Sequence, residues 1–336
     1  MEALANEAPC LRDVYAARRR IRGLAIETPL VPSALSARAG AEILLKLECF
    51  QPIGAFKIRG AANAIATLSD RAKIKGVACC STGNHGRAVA MAAKAAGIRA
   101  IVCLSELVPA VKVKAIEALG AEVRRIGRSQ DEAQREVERL VAEEGMTDIP
   151  PFDHPQVIAG QGTIALELFE ARPDLRTIVV PLSGGGLIAG IALAAKAIAP
   201  GVRMIGISMD RGAAMAESLR AGRPVEVEEV ASLADSLGGG IGLDNRWSFA
   251  LCHELVDEVI LVSEEEIYRG LQSLYRDDRL VAEGGSAVAH AALIAGKLKV
   301  EGPAAFIISG RNVDMEQFSR VVAGAPVTLG DQVIQG

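Results

Sequence analysis

Aromatic residues make up only 3% of this 336-residue chain, too few for the stacking platforms of single-strand binders or the wedges of DNA-bending proteins. Charge of one sign is equally scarce: 37 Lys and Arg stand against 41 Asp and Glu, a formal net charge of -4. With no surplus basic charge to neutralise phosphates, no nucleic-acid partner is expected. Long apolar runs are missing too. The stretch LIAGIALAAKAIA at 187–199 contains a lysine and falls short of the about 20 residues that cross a bilayer, so no membrane partner is expected either. The N-terminal segment carries Glu2, Glu7 and Asp13 and no apolar core ahead of a small-residue cleavage site, which leaves no secretory signal to read.

Reactive groups are sparse in informative ways. His85, His154, His253 and His290 form no H-x-x-x-H or His/Cys cluster, so no metal is expected. There is no G-x-S-x-G elbow, and acyl-enzyme hydrolysis lacks its nucleophile. The six cysteines contain no C-x-x-C, and most lie in apolar strand-like runs. They read as the reduced, buried thiols of a cytoplasmic protein.

What the chain has is small and aliphatic: 50% hydrophobic residues, chiefly Ala, Val, Ile and Leu, with 34 glycines, a mixture that suits close helix-on-sheet packing. Short β-branched runs at 77–81, 99–104, 122–126, 177–181, 202–208, 258–262 and 304–309 read as strands. Helix-length segments at 85–96, 111–119, 131–144, 187–199, 264–275 and 286–295 lie between them, with Gly97, Gly120, Gly145 and Gly296 where helix ends want glycine. This alternation predicts an α/β fold of parallel sheets joined by right-handed crossovers. The prolines of IPPFDHP at 149–155 admit neither a helix nor an inner strand through them. They mark a crossing between domains: a small domain at 76–154, inserted in a larger one made of 1–75 and 155–330.

Three segments sit where ligand chemistry belongs in such a fold. In KLECFQPIGAFKIRG at 46–60, Lys57 opens a helix beside Phe56 with Arg59 nearby. That setting disfavours the ammonium form and frees the amine for a carbonyl, although a solvated lysine is the ordinary alternative. In STGNHG at 81–86, hydroxyls, an amide and helix-start N–H groups follow a strand directly and suit a carboxylate, or else plainly cap the helix. In PLSGGGL at 181–187, consecutive glycines let backbone N–H groups approach a phosphate at the positive end of a helix. Gly184, Gly186 and Ala189 also satisfy G-x-G-x-x-A, so a nicotinamide-dependent oxidoreductase is the competing reading; the next acid, Asp210, falls late for a dinucleotide ribose. Ser309 ends the last strand, and Glu283 stands just ahead of a helix, where its charge complements the dipole.

Taken together and in this order, G-A-F-K-I-R-G, S-T-G-N-H-G, S-G-G-G-L and S-G-R-N resemble the serine/threonine dehydratase family of fold-type II pyridoxal-phosphate enzymes, over nearly the whole chain. The resemblance implies the tryptophan synthase β-like fold, with two parallel-sheet α/β domains, a pyridoxal 5'-phosphate cofactor and a homodimer. It implies that Lys57 carries the cofactor and removes the substrate's Cα proton, that Phe56 packs by the ring, and that Asn84 bonds the ring hydroxyl. Ser183, Gly184, Gly185, Gly186 and Leu187 would hold the phosphate, and Ser309 would face the pyridine nitrogen. Ser81, Thr82, Asn84 and His85 would hold the carboxylate of an amino-acid substrate. A hydroxyl at the pyridine nitrogen leaves the ring a weaker electron sink, which favours elimination over transamination.

Several positions depart from the family pattern. Ala55 replaces a serine. Thr82 replaces the second serine, whose hydroxyl racemising members use on the opposite face; an amino-acid racemase is therefore the alternative within the family. Ser183 replaces the first glycine of the loop, and Arg311 replaces a glycine after Ser309. Ser208 and Ala214 stand where cation-activated relatives carry acids, so no divalent metal is expected. The segment ADSLGGGIGLDN at 234–245 is most similar to hydroxyectoine-utilisation dehydratases, which implies a hydroxylated diaminobutyrate beside threonine and serine as substrates.

Overall fold

The computed structural model describes residues 8–81, 83–108 and 110–335. Its strands are β1 (Leu30–Pro32), β2 (Ile43–Lys46), β3 (Val77–Cys80), β4 (Ala100–Leu104), β5 (Glu122–Arg125), β6 (Thr147–Asp148), β7 (Thr177–Pro181), β8 (Arg203–Met209), β9 (Glu258–Val262), β10 (Ala304–Ile307), β11 (Val327–Leu329) and β12 (Gln332–Ile334). A six-stranded sheet runs β1-β2-β10-β7-β8-β9, a four-stranded sheet runs β5-β4-β3-β6, and β11 and β12 form a hairpin. Every pair in the two larger sheets is parallel except β1 with β2. The sequence pattern predicts purely parallel sheets. The exception arises because the link from β1 to β2 is too short for a parallel crossover and folds back, and Pro32 is tolerated because β1 is an edge.

The inner strands β2, β3, β4, β7, β8 and β10 are predominantly apolar because both faces of each sheet are covered, while the edge strand β5, Glu-Val-Arg-Arg, is exposed at both ends. In the large sheet Ile43, Leu45, Val179, Phe306, Ile205 and Ile207 join one core, while their strand neighbours Leu44, Ile178, Val180, Ala305 and Ile307 join the other. That is the two-residue period of a pleated strand divided between two helical layers. The small sheet repeats it: Val77, Cys79 and Val102 face one core, and Ala78, Cys80, Ile101 and Cys103 face the other. Cys79, Cys80 and Cys103 are buried in this way, Cys49 and Cys252 are buried outside the strands, and Cys10 is exposed. Gly97, Gly120, Gly145 and Gly296 all have positive φ, between 66° and 98°, as helix-terminating glycines should.

The four strands of the small sheet all come from within 76–154, but the core they build on does not stop there. Ile53, Ala55, Ile58, Ala61 and Ile65 pack into it from before residue 76, so the helix Lys57–Ala66 rests on the small sheet. A second departure concerns the proline cluster. Its last member, Pro155, opens the helix Pro155–Ala171, capped by His154, whose Nδ1 accepts the Gln156 N–H at 3.2 Å. Proline costs nothing at the first helical position because that N–H has no partner anyway. This helix meets its neighbours backbone to backbone. A Cβ at Gly160 would lie 2.6 Å from the Gly60 Cα, and one at Gly162 would lie 2.8 Å from the Gly190 carbonyl oxygen. It thereby fixes the helix headed by Lys57 relative to the helix Gly186–Ile198. Among the described residues no helix is long and apolar enough to cross a membrane.

Candidate active site

The segments singled out in the sequence come together at the carboxyl ends of the parallel strands, where open α/β sheets place their ligands. After β2 the chain turns at Gly54, whose φ is 78°. It is then stitched to the chain leaving β10: the Phe56 N–H donates to the Ser309 carbonyl at 3.0 Å and the Arg311 N–H to the Gly54 carbonyl at 2.9 Å. Ala55 and Gly310 form the bridge between these bonds, and Ala55 is fully buried. Lys57 is the first residue of its helix. Its Nζ donates to the Pro151 carbonyl at 2.6 Å and lies 5.3 Å from the centre of the Phe56 ring. Burial lowers its pKa to about 8, against the opposing pull of Glu283.

The loop after β7 is a cradle of backbone donors. The N–H groups of Ser183, Gly184, Gly185, Gly186 and Leu187 meet no acceptor among the described residues, yet Gly184 to Leu187 are buried. Buried, unclaimed N–H groups are costly, and here they stand at the positive end of the helix Gly186–Ile198. Their natural complement is a multiply charged anion such as a phosphate. The same geometry accounts for the G-x-G-x-x-A spacing without a dinucleotide. A Cβ at Gly186 would lie 2.8 Å from both the Cα and the carbonyl oxygen of Phe152, and one at Gly184 would collide with the Phe152 ring.

Asn84 begins the helix Asn84–Ala95 with Gly83 as its cap. Its Nδ2 donates to both carboxylate oxygens of Glu283, at 3.1 and 3.0 Å, and its Oδ1 accepts from Asn312 Nδ2 at 2.6 Å. Arg87 in turn donates to Asn312 Oδ1 at 2.8 Å. Ser81 is half-buried, its Oγ accepting the Gly83 N–H at 3.4 Å. Thr82 lies outside the described residues. His85 enters differently from the sequence expectation. Its ring is buried, with Nε2 on the Ile149 carbonyl at 2.6 Å, and burial together with the Lys57 charge lowers its pKa to about 3. A neutral imidazole committed to a carbonyl brings no positive charge to a carboxylate, so Ser81, the Asn84 side chain and the helix-start amides remain for that task.

Sequence reasoning leaves two groups without a settled role that the structure brings into the site. Glu283 is buried, and burial raises its pKa to about 7 even though Asn84 and Ser236 hydrogen-bond it. Ser286, also fully buried, lies 3.1 Å from Ser309 Oγ; it donates to the Gly310 carbonyl and accepts the Gly310 N–H, both at 2.8 Å. It fixes the turn that presents Ser309. The E-G-G-S signal at 283–286 contains both, but only the fold shows that they point at the chain leaving β10. Arg311 is exposed and lies over the Phe50 ring, 5.6 Å from its centre.

The donor set fits a phosphate-bearing aromatic aldehyde: a buried amine of lowered pKa, a cradle of unpaired amides, an amide at Asn84 and a hydroxyl at Ser309. No carboxylate is bonded to Ser309 Oγ among the described residues, as a neutral pyridine nitrogen requires.

Comparison with known proteins agrees with this geometry. The family described as pyridoxal-phosphate dependent enzymes matches residues 21–310. A Sinorhizobium fredii protein, named only provisionally as a threonine dehydratase, is 52% identical over 94% of this chain and 95% of its own length. The L-threo-3-hydroxyaspartate ammonia-lyase of Saccharomyces cerevisiae is 37% identical over 94% of this chain and 97% of its own. The solved structure of maize serine racemase superposes with a TM-score of 0.88 at 34% identity, covering 94% of this chain and 98% of that one.

Proposed function

The chain belongs to the family of pyridoxal-phosphate dependent enzymes, and from that premise we propose that it removes water and then ammonia from a small β-hydroxy amino acid, releasing a keto acid. It is a lyase of the threonine dehydratase kind and uses pyridoxal 5'-phosphate. The observation that carries the proposal is the placing of the Lys57 amine, lowered to about 8, among strand ends that also supply the unpaired amides of the loop 183–187. The relatives support the substrate class, since threonine, 3-hydroxyaspartate and serine, the substrates in their names, all carry a β-hydroxyl.

When bound, the cofactor draws electrons away from the substrate's Cα. The work of the protein is positional and protonic. Lys57, neutral in a useful fraction near physiological pH, accepts the Cα proton. The helix-start amides around Asn84 and the Ser81 hydroxyl orient the substrate carboxylate. Ser309, held by Ser286, would offer the cofactor's ring nitrogen a hydroxyl instead of a charge. Glu283 holds the Asn84 amide by both carboxylate oxygens, and its raised pKa places a carboxyl of changeable protonation inside the site.

A narrower substrate is favoured by one feature. Asp235 raises the Glu283 pKa through its charge, and Ser236 bonds Glu283, so the segment 234–245 borders the site and brings to its rim a carboxylate whose Oδ2 lies 3.7 Å from the Lys112 ammonium. A second ammonium group, as in 3-hydroxy-2,4-diaminobutyrate, would complement it. Release of keto acid and ammonia from L-threonine, L-serine, 3-hydroxyaspartate and 3-hydroxy-2,4-diaminobutyrate tests both levels. Turnover of none refutes the dehydratase, and turnover of the others without the diamino acid refutes the narrower assignment. Chiral analysis of unreacted serine in the same assay tests the racemase alternative.

A further inference from the structure

Helix Ser248–Leu255 lies directly under the glycine loop. Ser248, fully buried, donates its hydroxyl hydrogen to the Gly184 carbonyl at 2.7 Å. One turn further on, the Cys252 thiol points at the Gly185 carbonyl, 3.7 Å away. In a trans peptide the carbonyl of one residue and the N–H of the next point in opposite directions. Holding the Gly184 carbonyl against the helix therefore turns the Gly185 N–H the other way, while the Gly185 carbonyl accepts the Ala189 N–H at 2.8 Å and so aims the Gly186 N–H from the start of its own helix; both N–H groups belong to the set that meets no described acceptor. Gly185 can make the turn because it lacks a side chain: its φ is 86°, and a Cβ there would lie 2.9 Å from Cys252 Sγ.

What fixes this helix is Asp153. Its Oδ1 accepts the N–H groups of Trp247 and Ser248, and its Oδ2 that of Arg246, each at 2.8 Å. A carboxylate on successive N–H groups at a helix start combines charge-assisted hydrogen bonds with a favourable dipole. Asn245 completes the arrangement: its Nδ2 donates to Ser248 Oγ at 2.9 Å, its Oδ1 accepts the Phe249 N–H at 2.9 Å, and the single hydroxyl hydrogen of Ser248 goes to the nearer acceptor, the Gly184 carbonyl at 2.7 Å against 3.1 Å for Asn245 Oδ1. Asp153 also follows Phe152, whose backbone fills the space beside Gly186, and Pro151, whose carbonyl receives Lys57. The tripeptide 151–153 thus reaches from the amine to the support of the loop.

We propose that Asp153 and Ser248 are positioning residues for the cofactor phosphate: Asp153 fixes the start of helix Ser248–Leu255, and Ser248 sets the direction of the Gly185 amide. Neither touches the cofactor, and both roles rest on the assignment of the loop 183–187 to the phosphate.

The test is titration of the apoenzyme with pyridoxal phosphate and, separately, with pyridoxal, the same aldehyde without the phosphate. Wild-type protein should prefer the phosphorylated form; equal affinity would overturn the loop assignment and this proposal with it. Ser248→Ala and Asp153→Ala should each weaken pyridoxal phosphate by about tenfold, the scale of one directing hydrogen bond. Pyridoxal should change by less than about twofold, because it never meets the loop amides. The double variant should bind no worse than the weaker single one, as expected for residues acting in series. Equal weakening of both aldehydes would reveal general loosening and overturn the proposal, and so would unchanged affinity for both. Should Asp153→Ala not fold, Asp153→Asn keeps an acceptor for Trp247 and Ser248 and must still lower the preference for the phosphate form, by less.

Discussion

The Lys57 amine donates a 2.6 Å hydrogen bond to the carbonyl of Pro151, so the nucleophile is anchored to the backbone that crosses between the sheets and, among the described residues, to no side-chain carboxylate. Held there with only the distant pull of Glu283, it titrates near 8, well below an ordinary lysine. Attack on the cofactor aldehyde needs the neutral amine. The second-order rate of cofactor capture by apoenzyme should fall about tenfold per pH unit below 8 and level off above it. Stopped-flow absorbance across this range checks the expectation. A rate still climbing near pH 10, about the ordinary lysine value, would contradict it.

Replacement of the same residue gives a complementary result. Lys57→Ala should yield colourless protein under conditions where wild type is yellow, with keto-acid release lower by about 10³-fold or more. Borohydride treatment followed by peptide mass mapping should put the pyridoxyl label on the peptide containing Lys57 in wild type and on no peptide in the variant. A label on another lysine in wild type would contradict the assignment.

Much of this was legible in the sequence because each motif follows a strand and the parallel-strand pattern is local. The runs at 177–181 and 258–262 match β7 and β9 to the residue, since buried parallel strands are continuous β-branched segments. The helix Pro155–Ala171 was hidden because its proline reads as a breaker when its place at the helix start is unknown, and its glycines reflect contact with helices distant in sequence. The His85 orientation was equally illegible. The sequence shows a polar residue at a helix start, but not the Ile149 carbonyl that claims its ring. Ser248 and Asp153 carry no motif at all; their pairing depends on a separation of 95 residues that only the fold closes.

Glu283 makes a prediction about stability in which the sign can be worked out. Its folded pKa, about 7, lies above the ordinary 4.5, so the native state binds more protons than the unfolded chain between those values. Its favourable contribution is complete below 4.5 and is lost as pH rises through 7, a change of about 3 kcal/mol. His85, lowered to about 3, works in the opposite sense, gaining as pH rises toward 6.5, and the two partly mask each other in wild type. Glu283→Gln removes the first contribution and keeps the second. Urea unfolding of the two apoenzymes should show wild type losing stability relative to the variant between pH 4.5 and 7. A constant difference across that range would contradict the raised pKa.

The final prediction concerns the charges beneath Lys57. Arg59, two residues along the same helix and nearly inaccessible, donates to Glu48 at 2.7 and 2.8 Å and to Glu167 at 2.6 and 2.9 Å. Lys46 donates to Glu167 at 2.5 Å. Two cations and two carboxylates therefore balance in a region closed to water, and Arg59 lies between the carboxylates. Burial alone would raise the Glu48 pKa, but Arg59 holds it below the usual carboxylate range. Arg59→Met should cost about 3–5 kcal/mol, because Glu48 would then be buried with Thr28 and Gln51 as its remaining donors. Arg59→Lys keeps the charge without the fork and should fall between. Adding Glu48→Gln to Arg59→Met removes the stranded charge, so the double variant should be more stable than the sum of the two single losses predicts. Additive losses in urea unfolding would show that the two side chains contribute independently and would contradict the coupling.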